Sequence, residues 1–576
     1  MESATALIDD DRREAGPRVT PAAGRREPIA VPVMRLESLG IFLAFGLLYT
    51  LVGLWVLTDL HVVNFDALDR LTRAFMVWYN EPQKLAAIGF ALPPISTLAL
   101  VPFAAVRELV TSGLALPLSS AIFAAGALTF INRMFAVAEM ARPARLMIVL
   151  LVGLNPMFAY YAMNGTGDAA YMFFLAAGLF CLIAWGRNES ARYLIGAGLA
   201  FALAGLTKYE LLIWAFVVAF VISWTLSNRG REKAEIEGST LAYFAPVAYA
   251  LALWIFFNGL VLGDPFAWIS LGSDAAPVNA AGSAAPGFDL AEAFGNALQI
   301  ELIFPATILV ALALLLNVGR SRDTISIGIA MLIVLSIAYS VIGAAVAGSV
   351  DSIELHDGLP GMVAGIAGIA YLYLKATGMR PMIWAISIAL AVIALPVAWA
   401  EMKDYPHQTL EQAFTRAIAT GDDQEGTSSR GGYVVGIGPE RAIADFIKEE
   451  DVAKASILTD DARTYGVITL SGDPSLFFDR VSEGDAVWQD ILDDPVGKVG
   501  YMLVERSDSD LIFAEYPGAL EGEVPFLDPI VLNDRYALLR VFEDEAAPPP
   551  TALPTDEATE APTAPDPATP TTPTLP

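Results

Sequence analysis

Cysteine, histidine and clustered positive charge are what this 576-residue chain has least of. It contains one Cys and three His. One cysteine excludes an intramolecular disulfide and a cysteine zinc site. Cys181, inside the apolar run Leu179-Phe-Cys-Leu-Ile183, reads as a packing residue. Lys and Arg number 35 against 63 Asp and Glu, a formal charge of −28. Phosphate backbones are held by clustered Lys and Arg, so a nucleic-acid-binding function has no support.

What fills the chain instead is apolar. Hydrophobic residues make up 55% and the mean hydropathy is +0.53, against about 45–50% apolar residues in an ordinary soluble protein. The excess is concentrated in runs nearly free of charge, several of them close to the ~20 residues that cross a bilayer. Reading these runs as spans gives Leu39–Leu60, Leu114–Ile131, Met147–Met163, Ala169–Trp185, Tyr193–Leu206, Glu210–Trp224, Leu241–Leu262, Glu301–Leu316, Ile325–Ala347, Gly361–Leu374 and Met382–Ala400. The fold class is therefore mainly α, a polytopic transmembrane helix bundle of roughly eleven spans. Ala86–Val106 is apolar too, but Pro93, Pro94 and Pro102 interrupt it. It is expected to lie along the interface or to re-enter rather than cross.

Basic loops set the orientation, because Lys and Arg beside spanning helices stay in the cytoplasm. The clusters Arg12–Arg35, Arg133–Arg145, Arg187–Arg192, Arg229–Lys233, Arg320–Arg322 and Lys375–Arg380 all fall on one side with this segmentation. It places the N-terminus inside and the C-terminal part outside a cell (cytoplasmic) membrane. Residues 1–38 read as a disordered cytoplasmic tail and 39–400 as the membrane domain. Residues 401–430 read as a linker containing Thr420-Gly-Asp-Asp-Gln-Glu-Gly-Thr-Ser-Ser-Arg430, 431–545 as a small extracytoplasmic α/β domain, and 546–576 as a disordered Pro/Thr-rich acidic tail. From Glu401 onward there are 35 acidic against 12 basic residues, so most of the negative charge belongs to this appendage. Within it the pattern predicts a helix over Pro439–Glu450, strands at Ala455–Leu458 and Gly500–Val504, and a hairpin over Ile530–Val541 turning at Asn533-Asp534. Leu458-Thr-Asp-Asp-Ala462 and Ser471-Gly-Asp-Pro474 read as turn chemistry at strand ends, not as a phosphate or metal site.

Chemistry-bearing residues concentrate in the expected outer loops. The first reads His61-Val-Val-Asn-Phe-Asp-Ala-Leu-Asp-Arg-Leu-Thr-Arg73, and Asn80-Glu-Pro-Gln-Lys-Leu-Ala-Ala-Ile-Gly-Phe-Ala-Leu-Pro-Pro94 follows. Asp66 and Arg70 are one helical turn apart and can pair on one face. Further on stand Asn155-Pro-Met-Phe-Ala-Tyr-Tyr-Ala-Met-Asn-Gly-Thr-Gly-Asp168, Gly205-Leu-Thr-Lys-Tyr-Glu210, and Trp254-Ile-Phe-Phe-Asn258 followed by Gly263-Asp-Pro-Phe266.

In their order and spacing these segments resemble the GT-C membrane glycosyltransferases, nearest to the protein O-mannosyltransferase and lipid A aminoarabinose transferase branch. The likeness runs over about Leu39–Ala400. It implies inverting transfer of a hexosyl or pentosyl group from a polyprenyl-phosphate sugar to a glycan, lipid or protein acceptor, on the outer face of the membrane and among its lipids. Such transfer needs a base for the incoming hydroxyl, for which Asp66 is the candidate and Asp69 the runner-up. It also needs fixed cations for the departing phosphate, and Arg70, Lys84 and Lys208 are the candidates. Asp168 is a further catalytic candidate that orients the acceptor or, with Asp66, holds Mg or Mn; oxygen ligands suit those ions. His356, in Asp351-Ser-Ile-Glu-Leu-His-Asp-Gly-Leu-Pro360, stands where the related enzymes place an Arg near the lipid phosphate, a departure from their pattern. The competing classes are a transporter or lipid flippase, for which no internal repeat is visible, and a catalytically inactive scaffold.

Overall fold

A computed structural model describes residues 35–90, 92–269, 288–321, 323–406, 410–427, 434–450 and 452–542. The expected N-terminal tail, apart from its last residues, and the acidic Pro/Thr tail lie outside the described residues. The chain divides into two compact units, one made of Met1–Ala74 and Ile88–Gly436, the other of Phe75–Ala87 and Ile437–Pro576.

The first unit is a helix bundle. Among the described residues, eight helices are long and apolar enough to cross a membrane, and nine if the bent pair Leu290–Ile303 and Ala306–Leu316 counts as one span. This is a multi-pass membrane fold. Helix Arg35–Thr58 shows the logic: Phe45, Tyr49 and Val56 are buried, while Leu39, Leu43, Leu47 and Leu51 remain exposed on an apolar outer face. Lipid tails are as apolar as leucine, so helices associate through close packing instead. Gly198 makes that visible, since a Cβ there would stand 1.9 Å from the Tyr243 carbonyl oxygen of helix Lys233–Val261.

Two expected spans differ from the simple reading. Met147–Met163 is built as helices Arg142–Gly153 and Pro156–Tyr161. Pro156 has no N–H to continue the first helix, and Asn155 starts the second by accepting from the Met157 and Phe158 amides. Tyr193–Leu206 is a 15-residue helix, Ala191–Gly205, with Leu206 at its C-terminal cap. Ala86–Val106 is broken as its prolines predict, into short helices at Pro94–Leu98 and Val101–Ala104. A further difference concerns 401–430, expected as a linker. The last span continues to Asp404, and helix Leu410–Thr420 turns Ala413, Phe414 and Ala417 into the core of the membrane unit.

Acidic residues tie the basic loops of this unit together. Glu37 binds Arg142 and Arg145 at 2.9 and 2.8 Å, Glu139 meets Arg187 and Arg380, Glu189 meets Arg229 and Arg231, and Lys375 reaches Asp323 at 3.3 Å. Helix Asp168–Asn188 is 21 residues long, about 30 Å, so Asp168 lies at the opposite end of the bundle from Arg187.

The second unit carries a five-stranded sheet in the order β2-β1-β3-β5-β4: β1 Ile457–Thr459, β2 Phe477–Phe478, β3 Tyr501–Glu505, β4 Leu527–Leu532 and β5 Tyr536–Val541. The first three run parallel, and β5 pairs antiparallel with β3 and β4. Alternate residues serve opposite faces. Met502 and Val504 join the core around Trp488, while Leu503 joins the core around Ile443 and Ile447. The β4–β5 turn falls at Asn533, whose side chain accepts from the Arg535 and Tyr536 amides at 3.0 and 2.7 Å. Asp460 and Asp473 cap local turns, accepting from the Ala462 and Ser475 amides, which is the turn chemistry read from those segments.

Candidate functional site

At the end of the bundle away from the paired basic loops, several turns converge. Leu206 to Glu210 forms the turn between helices Ala191–Gly205 and Leu211–Asn228. The proline-broken segment docks on it, with the Ile95 amide donating to the Leu206 carbonyl at 3.2 Å and the Ser96 hydroxyl to that of Thr207 at 3.4 Å. Gly167 is required there, because a Cβ would lie 2.1 Å from the Ser96 hydroxyl. That approach brings in Asp168, the first residue of its helix.

Lys208 is the hub. Its Nζ lies 3.2 Å from Asp357 Oδ1, 3.4 Å from Glu210 Oε1 and 5.3 Å from the centre of the Tyr171 ring. Burial disfavours the ammonium, but Glu210 and Asp357 outweigh it and hold Lys208 charged well above its usual range. His356 follows in the turn before helix Leu359–Lys375, with Nε2 3.6 Å from Asp357 and Nδ1 3.1 Å from Glu354. Tyr161 packs on the His356 ring at 5.6 Å and donates to Glu411 at 2.5 Å. Burial pushes the Glu411 carboxyl up. The charge of Asp168 acts on Lys208, His356, Tyr161 and Tyr171. Asp168, Lys208 and His356, far apart in sequence, thus share one cluster in which carboxylates outnumber cations.

The second part of the site is built on helix Phe65–Tyr79. Arg70 Nε donates to Asp66 Oδ2 at 3.1 Å. Asp66 remains accessible, its side chain 56% exposed, while Arg70 is nine-tenths buried and its Nη1 has no hydrogen-bond partner among the described residues. A buried guanidinium N–H without an acceptor costs free energy until a ligand or water supplies one. Beside it stands Tyr209, whose hydroxyl accepts from Trp254 Nε1 at 3.0 Å and whose ring lies 4.9 Å from that of Trp268. Burial raises the Tyr209 hydroxyl above its ordinary value, with the Trp254 bond and the charge of Arg70 acting the other way. Trp268 Nε1 is likewise buried without a partner among the described residues. Tyr209 sits between Lys208 and Glu210, so this aromatic wall adjoins the Lys208 cluster.

Asp69 and Lys84 have partners of their own. Asp69 is closed off by Arg73, which reaches both its oxygens at 3.0 and 2.9 Å. Lys84 belongs to the second unit, where its Nζ donates to the Val481 carbonyl at 3.4 Å. The Mg or Mn site expected between Asp66 and Asp168 does not fit these residues. Asp66 is paired with Arg70, and among the described residues no three His, Cys, Asp or Glu side chains stand so as to hold a metal ion. Sequence reasoning missed Tyr209, Trp268, Glu210, Glu354, Asp357 and Glu411. Tyr209, Glu210, Glu354 and Asp357 carried a signal, as residues within two positions of Lys208 or His356.

No family model matches the sequence, and no curated protein matches it. Solved structures do. ArnT from Cupriavidus metallidurans in its apo state superposes with a TM-score of 0.50 at 16% identity, covering 89% of this chain and 99% of ArnT. ArnT bound to undecaprenyl phosphate matches with a TM-score of 0.50 at 14% identity, covering 89% of this chain and all of that one. This chain has the GT-C fold. The apo oligosaccharyltransferase of Archaeoglobus fulgidus is a looser match, with a TM-score of 0.44 at 10% identity over 82% of this chain and 70% of its own. Within the GT-C fold, the cluster around Lys208 and the Asp66–Arg70 pair occupy the turns that join the helices at one end of the bundle.

Proposed function

We propose that the protein is a membrane glycosyltransferase that moves a sugar from a polyprenyl-phosphate carrier to an acceptor hydroxyl, with inversion at the anomeric carbon. The observation that carries this reading is Arg70: a buried cation with an unused N–H, bonded through its Nε to an accessible carboxylate. Asp66 takes the proton of the acceptor hydroxyl as its oxygen attacks the anomeric carbon. The bond from that carbon to the phosphate oxygen breaks, and the carrier leaves as polyprenyl phosphate. Negative charge grows on the phosphate during this step, and a fixed donor already in place stabilises it without reorganisation. Arg70 Nη1 supplies that donor, and the Tyr209 and Trp268 N–H and O–H groups beside it add to a setting rich in donors.

Lys208 and His356 take a different role in this proposal from direct phosphate binding. Both are already faced by carboxylates, so they hold the turns of the site in register, while Asp168 orients the acceptor. The positive-inside bias puts the end with the paired basic loops in the cytoplasm and the reaction on the opposite face of the cell membrane.

A transporter reading draws on the single bent helix pair, Leu290–Ile303 with Ala306–Leu316. Repeat-built transporters place two interrupted helices opposite each other, and among the described residues there is one such pair. Incubating membranes that contain the protein with a panel of labelled polyprenyl-phosphate hexoses and pentoses distinguishes the classes. Loss of label from at least one donor, with free polyprenyl phosphate as the product, is the expected result. Movement of intact donor across the bilayer without its cleavage contradicts the proposal.

A further inference from the structure

The membrane unit buries one carboxylate that the proposed chemistry leaves unused. Glu301 lies just before the 100° break between Leu290–Ile303 and Ala306–Leu316. It is 1% exposed, and neither of its oxygens has a hydrogen-bond partner among the described residues. Ser336, from helix Thr324–Ala347, bears on the same carboxyl. Thr307, in the first turn after the break, is fully buried, and its hydroxyl lacks a hydrogen-bond partner among the described residues. A Cβ on Gly361 would stand 2.3 Å from the Glu301 oxygens, and one on Gly365 would stand 2.9 Å from Thr307 Oγ1. Gly361 and Gly365 are one helical turn apart, so the carboxylate and the Thr307 hydroxyl lie along the same helix face. The break itself is held, because Asn155 Nδ2 donates to the Ile303 carbonyl at 3.0 Å.

An ionised carboxylate without a partner in such surroundings is strongly disfavoured, so its charge is cancelled in place. A proton cancels the charge, and its O–H can turn to the Ser336 hydroxyl, but the second oxygen and the buried Thr307 hydroxyl are then left without a partner. A cation meets both oxygens and the neighbouring hydroxyls together. One positive charge leaves the site neutral, whereas a divalent ion would leave a buried charge uncompensated. All the ligand atoms are hard oxygens, and the glycine backbone of helix Leu359–Lys375 packs closely against them. We propose that Glu301, Thr307 and Ser336 form a binding site for a small monovalent cation of the sodium class at the helix break, tying the bent pair to helix Thr324–Ala347.

The site is independent of the glycosyltransferase reading and is tested without it. Purified full-length protein in detergent is melted while sodium replaces choline at constant ionic strength, and equilibrium binding of radioactive sodium is measured in parallel. The wild type is expected to show a Tm that climbs with sodium and saturable sodium binding. Glu301→Gln, which keeps shape and removes charge, is expected to lose both. Should that variant not fold, Ser336→Ala keeps the carboxylate and must still weaken sodium binding. No sodium dependence in the wild type, a Tm that follows pH alone, or undiminished binding in Glu301→Gln or Ser336→Ala overturns the site.

Discussion

At the scale of single residues, the account turns on which charges are already paired. Arg70 keeps one N–H in reserve, so Arg70→Met is expected to lower transfer about 10²–10³-fold, the loss typical when one transition-state donor is removed. Steady-state kinetics on labelled donor would measure it, and a change below tenfold would remove Arg70 from the phosphate site. Lys208 behaves differently, because its partners are buried with it. Lys208→Met strands Asp357 and Glu210, and breaking a buried pair costs about 3–5 kcal/mol. The double variant Lys208→Met with Asp357→Asn is expected to recover part of the lost Tm; a double variant melting no higher than the single one contradicts the pairing. Asp66, Arg70, Asp168, Lys208 and His356 could be read as candidates from residue type and order. Their grouping could not, since Lys208 meets Asp357 across 149 positions of sequence. The partnership that closes Asp69 was within reach, as Arg73 stands one helical turn from it, but nothing in residue type says which of two such pairs stays open.

At the scale of elements, packing decides between glycines that look alike in sequence. Gly198→Ala forces a Cβ into the Tyr243 carbonyl and is expected to lower Tm, whereas Gly238, in helix Lys233–Val261, has nothing within 4 Å of a built Cβ. Gly238→Ala should therefore stabilise, by about 0.5–1 kcal/mol from the helix preference alone. Thermal melts of the two variants check the contrast, and equal effects would contradict the helix contact. The second unit contains a titrating element. Asp510 accepts from the Glu505, Ile512 and Phe513 amides, yet burial pushes its carboxyl up to about 6. A folded value above the unfolded one, about 3.9, means the folded state binds the proton more tightly. Its stability contribution is full below about pH 4 and is lost as pH rises through about 6. Amide exchange at Ile512 and Phe513, corrected for intrinsic rates, should accordingly show less protection at pH 7 than at pH 4.5. Helices were legible wherever an apolar run was long. Leu410–Thr420 was not, because it buries the polar Glu411, Gln412 and Thr415 beside Ala413, Phe414 and Ala417, so its composition resembles a linker.

At the scale of the whole molecule, the sequence's apolar runs specify a multi-pass bundle, and its paired basic loops gather at one end of it. Helix Asp168–Asn188 has the Lys208 cluster at one end and the Glu139–Arg187 contact at the other. On the proposed reading, the Lys208 end meets the headgroup of the lipid donor and the basic loops stay in the cytoplasm. The sheet of the second unit was legible in its hairpin and in strand β3, where alternation and turn residues coincide. The two-residue β2 offered too little pattern to be seen. The most direct measurement compares wild type with Asp66→Asn, both reconstituted at equal folded amount, for release of polyprenyl phosphate from a labelled polyprenyl-phosphate sugar in the presence of an acceptor extract. The account predicts release by the wild type and none above background by Asp66→Asn at an unchanged Tm. Equal release by the two proteins would contradict it.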